Sequence, residues 1–240
     1  MIEKLNQKED IKEPDFPDLF YIRIMSLMKA YGFSYDFSSY YKQVNEDNKV
    51  TALISKLDGD FTLCCFEGAD REELCEFFSV MGYSSVLSDD SFKMPSPFCE
   101  GIIMKSNKKT EITIPYTVID RYPKLMELFN FIDYESTDFE AWYVDVSHRI
   151  RHGCAMAYTL NVNGEIISSA IFSAIYRDNA VLSSVQTAPA FRRMGYGSAL
   201  ISEMSADIKG NIFLMREKTL NEEFYKKLGF INIGKWRTYR

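Results

Sequence analysis

The segment from Val185 to Leu200 (VQTAPAFRRMGYGSAL) combines residue types that can bind an anion. A short loop delivers two consecutive arginines, Arg192 and Arg193, directly before two glycines, Gly195 and Gly197, and a helical pattern begins at that point. The first N–H groups of a helix have no intrahelical acceptor, the helix dipole is positive there, and glycine lets a phosphate approach the backbone closely. The segment therefore predicts a phosphate or pyrophosphate site at a helix N-terminus, with arginine charge beside it.

Other interpretations of this segment can be compared with the same residues. A P-loop requires G-x-x-x-x-G-K-[ST], and the chain contains no Gly-Lys-Ser or Gly-Lys-Thr. A dinucleotide-binding fold requires a third glycine three residues after Gly197, where the chain has Leu200, and crossover connections where this sequence predicts a tight hairpin. An Arg-rich loop without any ligand stays open, although two glycines at a helix start weaken the helix without an evident structural gain.

The elements that must position this segment follow from periodicity in the second half of the chain. Helices are predicted over 122–129, 138–148, 195–209 and 220–228, and strands over 155–161, 165–175, 180–187, 212–216 and 230–236. The dipeptide Asn163-Gly164 is a strong hairpin signal, because both central positions of the favoured turn require positive φ. The first three of these strands are therefore expected to form an antiparallel meander.

Two motifs in this order resemble the signatures of the GNAT family of N-acetyltransferases. Residues 192–197 (Arg192-Arg193-Met194-Gly195-Tyr196-Gly197) look like the family's acyl-CoA signature, Q/R-x-x-G-x-G/A. The second signature, an aromatic-Tyr-x-x-x-Gly-Phe segment, is matched by Phe224, Tyr225, Gly229 and Phe230. The resemblance covers residues 111–240. With a divergent half before it, the chain is similar to the FR47-like, glycine N-acyltransferase-like branch of the family.

The resemblance implies an acyl-CoA site and a catalytic tyrosine. The backbone of residues 185–187 would pair with the pantetheine arm and help to polarise the thioester carbonyl, and the N–H groups of 193–198 would hold the pyrophosphate. Tyr225 would protonate the departing CoA thiolate, since a phenol can donate a proton while it stays neutral at pH 7; an ordinary helix aromatic is the alternative. The implied acetyl-CoA-binding set is Val185, Gln186, Thr187, Arg192, Arg193, Met194, Gly195, Tyr196, Gly197, Ser198 and Asn221.

The sequence departs from the family pattern at two places. Many members carry an Asn seven residues before the tyrosine, where this chain has Lys218, so Asn221 is only the nearest candidate for that contact. The third strand (AVLSSVQT) contains no carboxylate that could act as general base. Glu165 and Asp178 lie in the turns that flank the second strand, with a solvated turn position as their alternative role. A base acting through ordered water, or an amine that arrives deprotonated, would leave no trace in the sequence.

Residues 1–110 predict a smaller, divergent α/β domain that lacks the acyl-CoA motif. Helices are predicted over 19–31 and 70–81, and strands over 49–55, 60–66 and 84–88. Residues 76–83 (EFFSVMGY) echo residues 223–230 (EFYKKLGF) and would align Phe78, which has no proton to give, with Tyr225. We expect this half to be non-catalytic, and to cover the acceptor groove or complete the sheet of the second half. The expected fold is α/β (α+β), with a GNAT-like mixed, largely antiparallel sheet flanked by helices over 111–240.

The composition restricts the class of protein and its partners. The chain has 240 residues, 46% of them hydrophobic, and a net charge of −6, which favours a globular fold and argues against nucleic-acid binding. No apolar run approaches the ~20 residues that span a bilayer, and the charged start has no signal core, so a cytoplasmic protein without membrane contact is expected. Five cysteines without C-x-x-C spacing, and only His148 and His152 to join them, predict reduced thiols and no metal site.

These observations and the resemblance lead to one expected function and one alternative. We expect a monomeric or homodimeric enzyme, an acyl-CoA-dependent N-acyltransferase, that transfers an acetyl group from acetyl-CoA to an amine of a small molecule or peptide. The alternative is a catalytically silent acyl-CoA-binding regulatory module, which the missing base would explain.

Overall fold

The computed structural model describes residues 1–7, 11, 14, 17–108, 111–115, 117–132 and 137–240. They form two compact units. Unit 1 contains Met1–Ile103, Met215–Leu220 and Asn232–Arg240, and unit 2 contains Met104–Leu214 and Asn221–Ile231. The predicted boundary at residue 110 lies outside the described residues. The predicted second domain also included the two C-terminal segments that the structure groups with unit 1.

The described elements are six helices and twelve strands. The helices are α1 (Leu19–Tyr31), α2 (Arg71–Met81), α3 (Leu125–Ile132), α4 (Phe139–Arg151), α5 (Tyr196–Ala206) and α6 (Glu222–Lys227). The strands are β1 (Ile2–Lys4), β2 (Ser38–Val44), β3 (Val50–Leu57), β4 (Asp60–Cys65), β5 (Ser85–Asp89), β6 (Cys99–Ser106), β7 (Val118–Asp120), β8 (Met156–Val162), β9 (Glu165–Tyr176), β10 (Asn179–Thr187), β11 (Ile212–Glu217) and β12 (Ile231–Tyr239).

Unit 1 is a mixed sheet in the order β1-β2-β3-β4-β5-β12. Its neighbouring pairs are antiparallel, except that β4 and β5 run parallel because α2 connects them. The side chains of Phe61, Phe78, Phe92 and Tyr239 are buried together in its core. Asp18 caps α1 by accepting a hydrogen bond from the N–H of Tyr21.

Unit 2 has a mixed sheet of its own, in the order β11-β10-β9-β8-β7. Each neighbouring pair from β7 to β10 is antiparallel. Strands β10 and β11 are parallel neighbours, and α5 connects them along the chain. Asn163 and Gly164 both have positive φ, 53° and 84°, so the predicted hairpin turn between β8 and β9 is confirmed. The mixed, largely antiparallel sheets flanked by helices confirm the predicted fold class.

The two faces of the unit 2 sheet are covered by different helices. Leu128 of α3 packs against Ala157 and Ile171. On β9, Ser168 points to the opposite face from Ile171 because side chains alternate along a strand. Ser168 lies near Gly197 of α5, at 3.8 Å from where a Cβ on that glycine would be. Helices α3 and α5 therefore cover opposite faces of the sheet, and any group on β10 can face only one of them.

Several predicted bounds were wrong by a few residues. Helix α3 begins at Leu125 and not at Tyr122, because the residue before Pro123 is disfavoured in helical conformation. Helix α4 continues to Arg151, and α5 ends at Ala206. Strands β1, β2, β6 and β7 were not predicted.

Both units share one order of elements. Unit 1 contains α1-β2-β3-β4-α2-β5 and unit 2 contains α4-β8-β9-β10-α5-β11, in each case three antiparallel strands followed by a helix and a parallel strand. By topology α2 corresponds to α5. The sequence echo aligned it instead with α6, because a glycine and an aromatic residue after a helix form a common C-cap pattern.

Two features are absent from the described part of the chain. Among these residues no helix is long and apolar enough to cross a membrane. The same residues include no cluster of three or more His, Cys, Asp and Glu side chains that could hold a metal ion.

Candidate functional site

Strand β10 is bulged near its carboxyl end. Its register with β9 shifts between Ser183 and Gln186, and Ser184 has a left-handed φ of 50°. A bulge leaves extra backbone outside the regular ladder and changes the direction of the residues that follow it. The bulge therefore breaks the backbone ladder at Ser184 and Val185.

The same end of β10 separates from β11. The parallel register runs from Ala180↔Ile212 to Leu182↔Leu214, whereas β10 continues to Thr187. Within the described residues, β11 therefore pairs with β10 only as far as Leu182. The edge of β10 that faces β11 has no strand partner in this register from Ser183 to Thr187. An edge of this kind can pair with an extended ligand as it would pair with another strand.

Helix α5 begins without a capping side chain. Gly195 occupies the N-cap position in left-handed conformation, with φ 90°, and no side chain accepts from the first-turn N–H groups. The first turn contains no acidic residue. The preceding Arg193 is also left-handed, with φ 63°. Alternating left-handed residues of this kind turn successive N–H groups toward one concave point, which is a common anion-binding arrangement.

The two arginines of the loop differ in what they contact. Arg192 is exposed, and its Nε donates to the carbonyl oxygen of Thr187 at 3.0 Å, so its side chain folds back on the end of β10. Arg193 and Met194 are exposed, the latter 62%. Tyr196 stacks edge-on against Phe191, with ring centroids 5.8 Å apart. The exposed arginine charge lies beside the uncapped helix end.

Gly197 has a packing role that the sequence did not reveal. A Cβ at this position would lie 3.0 Å from Thr187 Oγ1 and 3.5 Å from Phe224 Cζ. The glycine therefore lets α5 approach the sheet and α6 closely. It also brings the two sequence motifs together, because Phe224 directly precedes Tyr225.

Tyr225 is buried in an aromatic group. Its ring centroid lies 5.0 Å from that of Phe224 and 5.8 Å from that of Phe230, and 9% of the residue is exposed. Burial raises the pKa of Tyr225 to about 12. Within the described residues its hydroxyl has no hydrogen-bond partner. The phenol therefore stays protonated throughout the neutral pH range.

Two of the three β10 residues in the predicted acetyl-CoA-binding set, Gln186 and Thr187, already form hydrogen bonds within the protein. The carbonyl oxygen of Gln186 accepts from Ser168 Oγ at 2.8 Å, and the Gln186 side chain donates to the carbonyl oxygen of Phe131 at 3.0 Å. Thr187 Oγ1 contacts Ser168 Oγ at 2.9 Å. The Gln186 and Thr187 carbonyl oxygens are therefore bound to side chains, which leaves Val185 as the least engaged of the three.

Three other candidates from the sequence are exposed. Asn221 is the exposed N-cap residue of α6, with φ 59° and no side-chain cap hydrogen bond. Glu165 and Asp178 are exposed residues at the start of β9 and in the turn before β10. At about 3.3 Å per residue, Asp178 is roughly 20 Å along the strand from the bulge at Ser184. Neither carboxylate belongs to the group of residues around the bulge.

A cavity of about 150 Å³ lies on the α3/α4 face of the sheet beside the bulge. Trp142, Val146 and Arg149 of α4 line one wall, and Ser183 and Ser184 belong to the other. Sequence reasoning missed these residues. The helical periodicity of α4 could have placed Trp142, Val146 and Arg149 on one helix face. No signal in the sequence indicates that this face packs against β10.

Unit 1 offers an internal comparison for the helix end. At the N-terminus of α2, the Asp70 carboxylate accepts from the N–H groups of Glu72 and Glu73. These two residues also add acidic charge to the first turn. The helix end that corresponds to α5 by topology is therefore already capped and negatively charged.

The sequence was compared with known protein families and curated proteins. The sequence model described as "Acetyltransferase (GNAT) domain" matches residues 153–232. This range includes β10, the loop, α5, β11 and α6. No curated protein matches the chain.

Solved structures of low sequence identity share the fold. A Drosophila protein has a TM-score of 0.67 at 13% identity and covers 93% of this chain and 90% of its own. A GCN5-related N-acetyltransferase from Sphaerobacter thermophilus has a TM-score of 0.61 at 12% identity, covering 97% and 88%. A tandem GNAT protein from the clavulanic acid biosynthesis pathway has a TM-score of 0.56 at 10% identity, covering 89% and 86%. At these identities the likeness shows the fold alone.

Proposed function

We propose that this protein transfers an acetyl group from acetyl-CoA to the nitrogen of an amine acceptor, a small molecule or a peptide. The match of residues 153–232 to the GNAT acetyltransferase domain model supports this proposal. One observation carries the proposal: the uncapped N-terminus of α5 follows directly on the bulged end of β10, which has lost its register with β11. The arrangement offers an anion site and an open strand edge within a few residues of each other. Acetyl-CoA requires both, since it joins a pyrophosphate to an extended amide-containing arm.

The pyrophosphate would bind at the start of α5. Backbone N–H groups from Arg193 to Ser198 supply neutral donors, and the helix dipole favours negative charge at this end. The left-handed backbone at Arg193 and Gly195 supports this role by turning these donors inward. The exposed Arg193 side chain adds a positive charge that can adjust its position to the bound pyrophosphate.

The pantetheine arm and thioester would follow β10. The arm's amide groups can pair with the strand edge beyond Leu182, and the thioester carbonyl would then lie at the bulge. Backbone N–H groups directed at the carbonyl oxygen would stabilise the oxyanion formed when the amine attacks. Val185, whose backbone is the least engaged in this stretch, is our candidate for that contact.

The chemical step forms a C–N bond and breaks the C–S bond. The amine nitrogen attacks the carbonyl carbon, loses a proton to solvent, and the sulfur leaves as a thiolate. Tyr225 would donate its O–H to this sulfur. Because burial raises the pKa of Tyr225 to about 12, and a thiol has a pKa of about 8.5, the phenol acts best by hydrogen-bonding the thiolate, with solvent completing the protonation.

Unit 1 would support the reaction without carrying it out. Its α2 end is capped by Asp70 and carries Glu72 and Glu73, so a phosphate there would meet three carboxylates in place of free N–H groups. All five cysteines are free thiols, which fits the cytoplasm, where acetyl-CoA is available. We retain a monomer or homodimer as the expected assembly.

A catalytically silent acyl-CoA-binding module is the second candidate. The observation that favours it is the absence of a carboxylate from β10 and from the cavity lining. A ligand-binding role requires the anion site and the strand edge but no proton acceptor. It differs from the first proposal in one measurable respect, which is turnover.

Calorimetric titration with CoA and thiol release from acetyl-CoA in the presence of an amine panel test the proposal. We expect CoA binding and amine-dependent thiol release. Arg193→Ala should weaken CoA binding, whereas Arg177→Ala should not. Arg177 is a matched control because it is also exposed and left-handed, with φ 52°, but lies in the turn before β10. Binding without turnover on any amine would favour the silent module, and no binding would contradict both candidates.

A further inference from the structure

The cavity beside the bulge has one wall from α4 and one from the sheet. Trp142, Val146 and Arg149 contribute the first wall. The second wall consists of Ala155, Ile171, Ser173, Ser183 and Ser184. Ser184 belongs to the bulge of β10 and Ser183 directly precedes it, so the cavity lies beside the point where the proposed function puts the thioester carbonyl.

The size of the cavity limits what can occupy it. At about 150 Å³ it has room for roughly five water molecules at about 30 Å³ each, and a cavity of about this volume can accept a benzene ring. It is too small for a peptide segment with several side chains. An occupant would be one compact group, such as a branched aliphatic chain or a single ring.

The lining combines apolar surface with one buried donor. Trp142, Val146 and Ile171 present apolar surface, whereas the Arg149 side chain is 17% exposed and its Nε is buried. Among the described residues this Nε has no hydrogen-bond partner. A buried donor without a partner loses its hydration at a cost of about 1–3 kcal/mol, which a ligand oxygen could recover.

The other nitrogens of this guanidinium are already engaged. Nη1 donates to the carbonyl oxygen of Ser173 at 2.8 Å, and Nη2 forms an ion pair with Asp145, one helical turn earlier. The Asp145 carboxylate neutralises the guanidinium. A carboxylate on a ligand would therefore face Asp145 as a like charge, while an uncharged oxygen could accept from Nε without that penalty.

Resting on the proposed function, we propose that this cavity is the acceptor pocket and that the acceptor is a small amine with a compact apolar body and one uncharged hydrogen-bond acceptor, such as an amide or ester carbonyl oxygen. The apolar body lies against Trp142 and Ile171, and the oxygen accepts from Arg149 Nε. The amine then points toward Ser183 and Ser184. Free amino acids, which carry a carboxylate at this place, are poor acceptors.

Three acceptors with the same aliphatic body test this assignment. Valinamide carries the uncharged oxygen, valine carries a carboxylate, and isobutylamine carries neither. Calorimetry with CoA-saturated protein measures acceptor binding without turnover, and thiol release gives kcat/KM for each amine. We expect valinamide to bind more tightly than isobutylamine and valine.

Two substitutions separate the oxygen contact from the cavity. Arg149→Lys keeps the charge beside Asp145 but removes Nε, so kcat/KM for valinamide should fall about 10-fold or more with at most a twofold change for isobutylamine. Ala155→Leu fills part of the cavity and should raise KM for both amines about 10-fold, with unchanged CoA affinity. Arg151→Lys, exposed near the end of the same helix, is the control and should change neither value.

The outcomes distinguish this inference from the function on which it rests. A protein that binds CoA and acetylates other amines, but does not bind valinamide or prefers valine, would overturn the pocket assignment alone. Equal losses for valinamide and isobutylamine in Arg149→Lys would show a structural role for Arg149. If the leucine variant does not fold, Ala155→Val makes the same test with a smaller group. Valinamide binding that Ala155→Leu leaves unchanged would also refute the inference, whereas failure to bind CoA would count against the proposed function.

Discussion

Replacing Tyr225 with phenylalanine removes one oxygen and leaves the aromatic packing in place. The ring lies between Phe224 and Phe230, and within the described residues its hydroxyl has no partner to lose. The substitution should therefore preserve the fold and the affinity for CoA. Any change in turnover then reports what the hydroxyl does during the reaction.

The pKa of Tyr225 limits how large that change can be. Proton transfer from a phenol with a pKa of about 12 to a thiolate whose conjugate pKa is about 8.5 is uphill by about 3.5 units, or about 5 kcal/mol. Full transfer is therefore unfavourable, but a hydrogen bond to the charged sulfur is worth about 1.5–3 kcal/mol. At about 1.4 kcal/mol per tenfold change in rate, kcat should fall about 10- to 150-fold.

The measurement is thiol release at saturating acetyl-CoA and amine from pH 6 to 10, with CoA affinity by calorimetry and thermal unfolding as the fold control. Because the Tyr225 phenol ionises only near pH 12, ionisation of Tyr225 should not lower the kcat of the wild-type protein between pH 6 and 10. Wild-type turnover in Tyr225→Phe would refute the role of the hydroxyl. An alkaline decrease in kcat that the substitution abolishes would refute the high pKa and the limit derived from it.

The remaining predictions concern the loop, the helix contact and alkaline stability. Arg193→Ala with Gly195→Ala should weaken CoA binding about 10- to 100-fold by calorimetry, because both a charge and a left-handed donor position are lost; unchanged affinity in a folded variant would contradict the phosphate site. Gly197→Ala should lower the free energy of unfolding by about 1 kcal/mol in urea, despite the helix propensity of alanine, because its Cβ would lie 3.0 Å from Thr187 Oγ1; a stabilised variant would show that α5 can move. Burial raises the pKa of Tyr225 from 10.0 to about 12, so above pH 10 the unfolded chain loses a proton that the folded chain keeps. The stabilisation present below pH 10 is then lost as pH rises toward 12. The free energy of unfolding in urea should therefore be about 1.4 kcal/mol lower at pH 11 than at pH 9. The Tyr225→Phe variant should not show this decrease.

The sequence predicted most of unit 2 because its signals are local. The turn at Asn163-Gly164 and the glycine-rich start of α5 each require a backbone conformation that few residues adopt, so a dipeptide or a single residue identifies the structure. The GNAT resemblance rests on the same kind of signal, and the match to residues 153–232 supports it.

The parts that were not predicted depend on long-range contacts. Strand β2 (SSYYKQV) has no alternation of apolar and polar residues, and its buried Gln43 is stabilised by hydrogen bonds to the backbone of Asp70 and to the Glu73 side chain, far along the chain. The cavity beside the bulge also depends on long-range contacts, since Arg149 and Ser183 lie on separate elements and neither belongs to a motif. Only the packing of α4 on the sheet brings them together.

The proposed division of roles between the two units also follows from a single capping position. Helices α2 and α5 occupy the same place in the same order of elements, between a meander and a parallel strand. Asp70 satisfies the first N–H groups of α2 with its own carboxylate, whereas Gly195 leaves those of α5 available. A side-chain carboxylate and a phosphate compete for the same donors, so a helix end can be capped from within or can bind a ligand, but not both. The shared order of elements therefore does not by itself give both units an anion site, and under the proposed function the residue at the helix N-cap decides which of the two units can bind the CoA pyrophosphate.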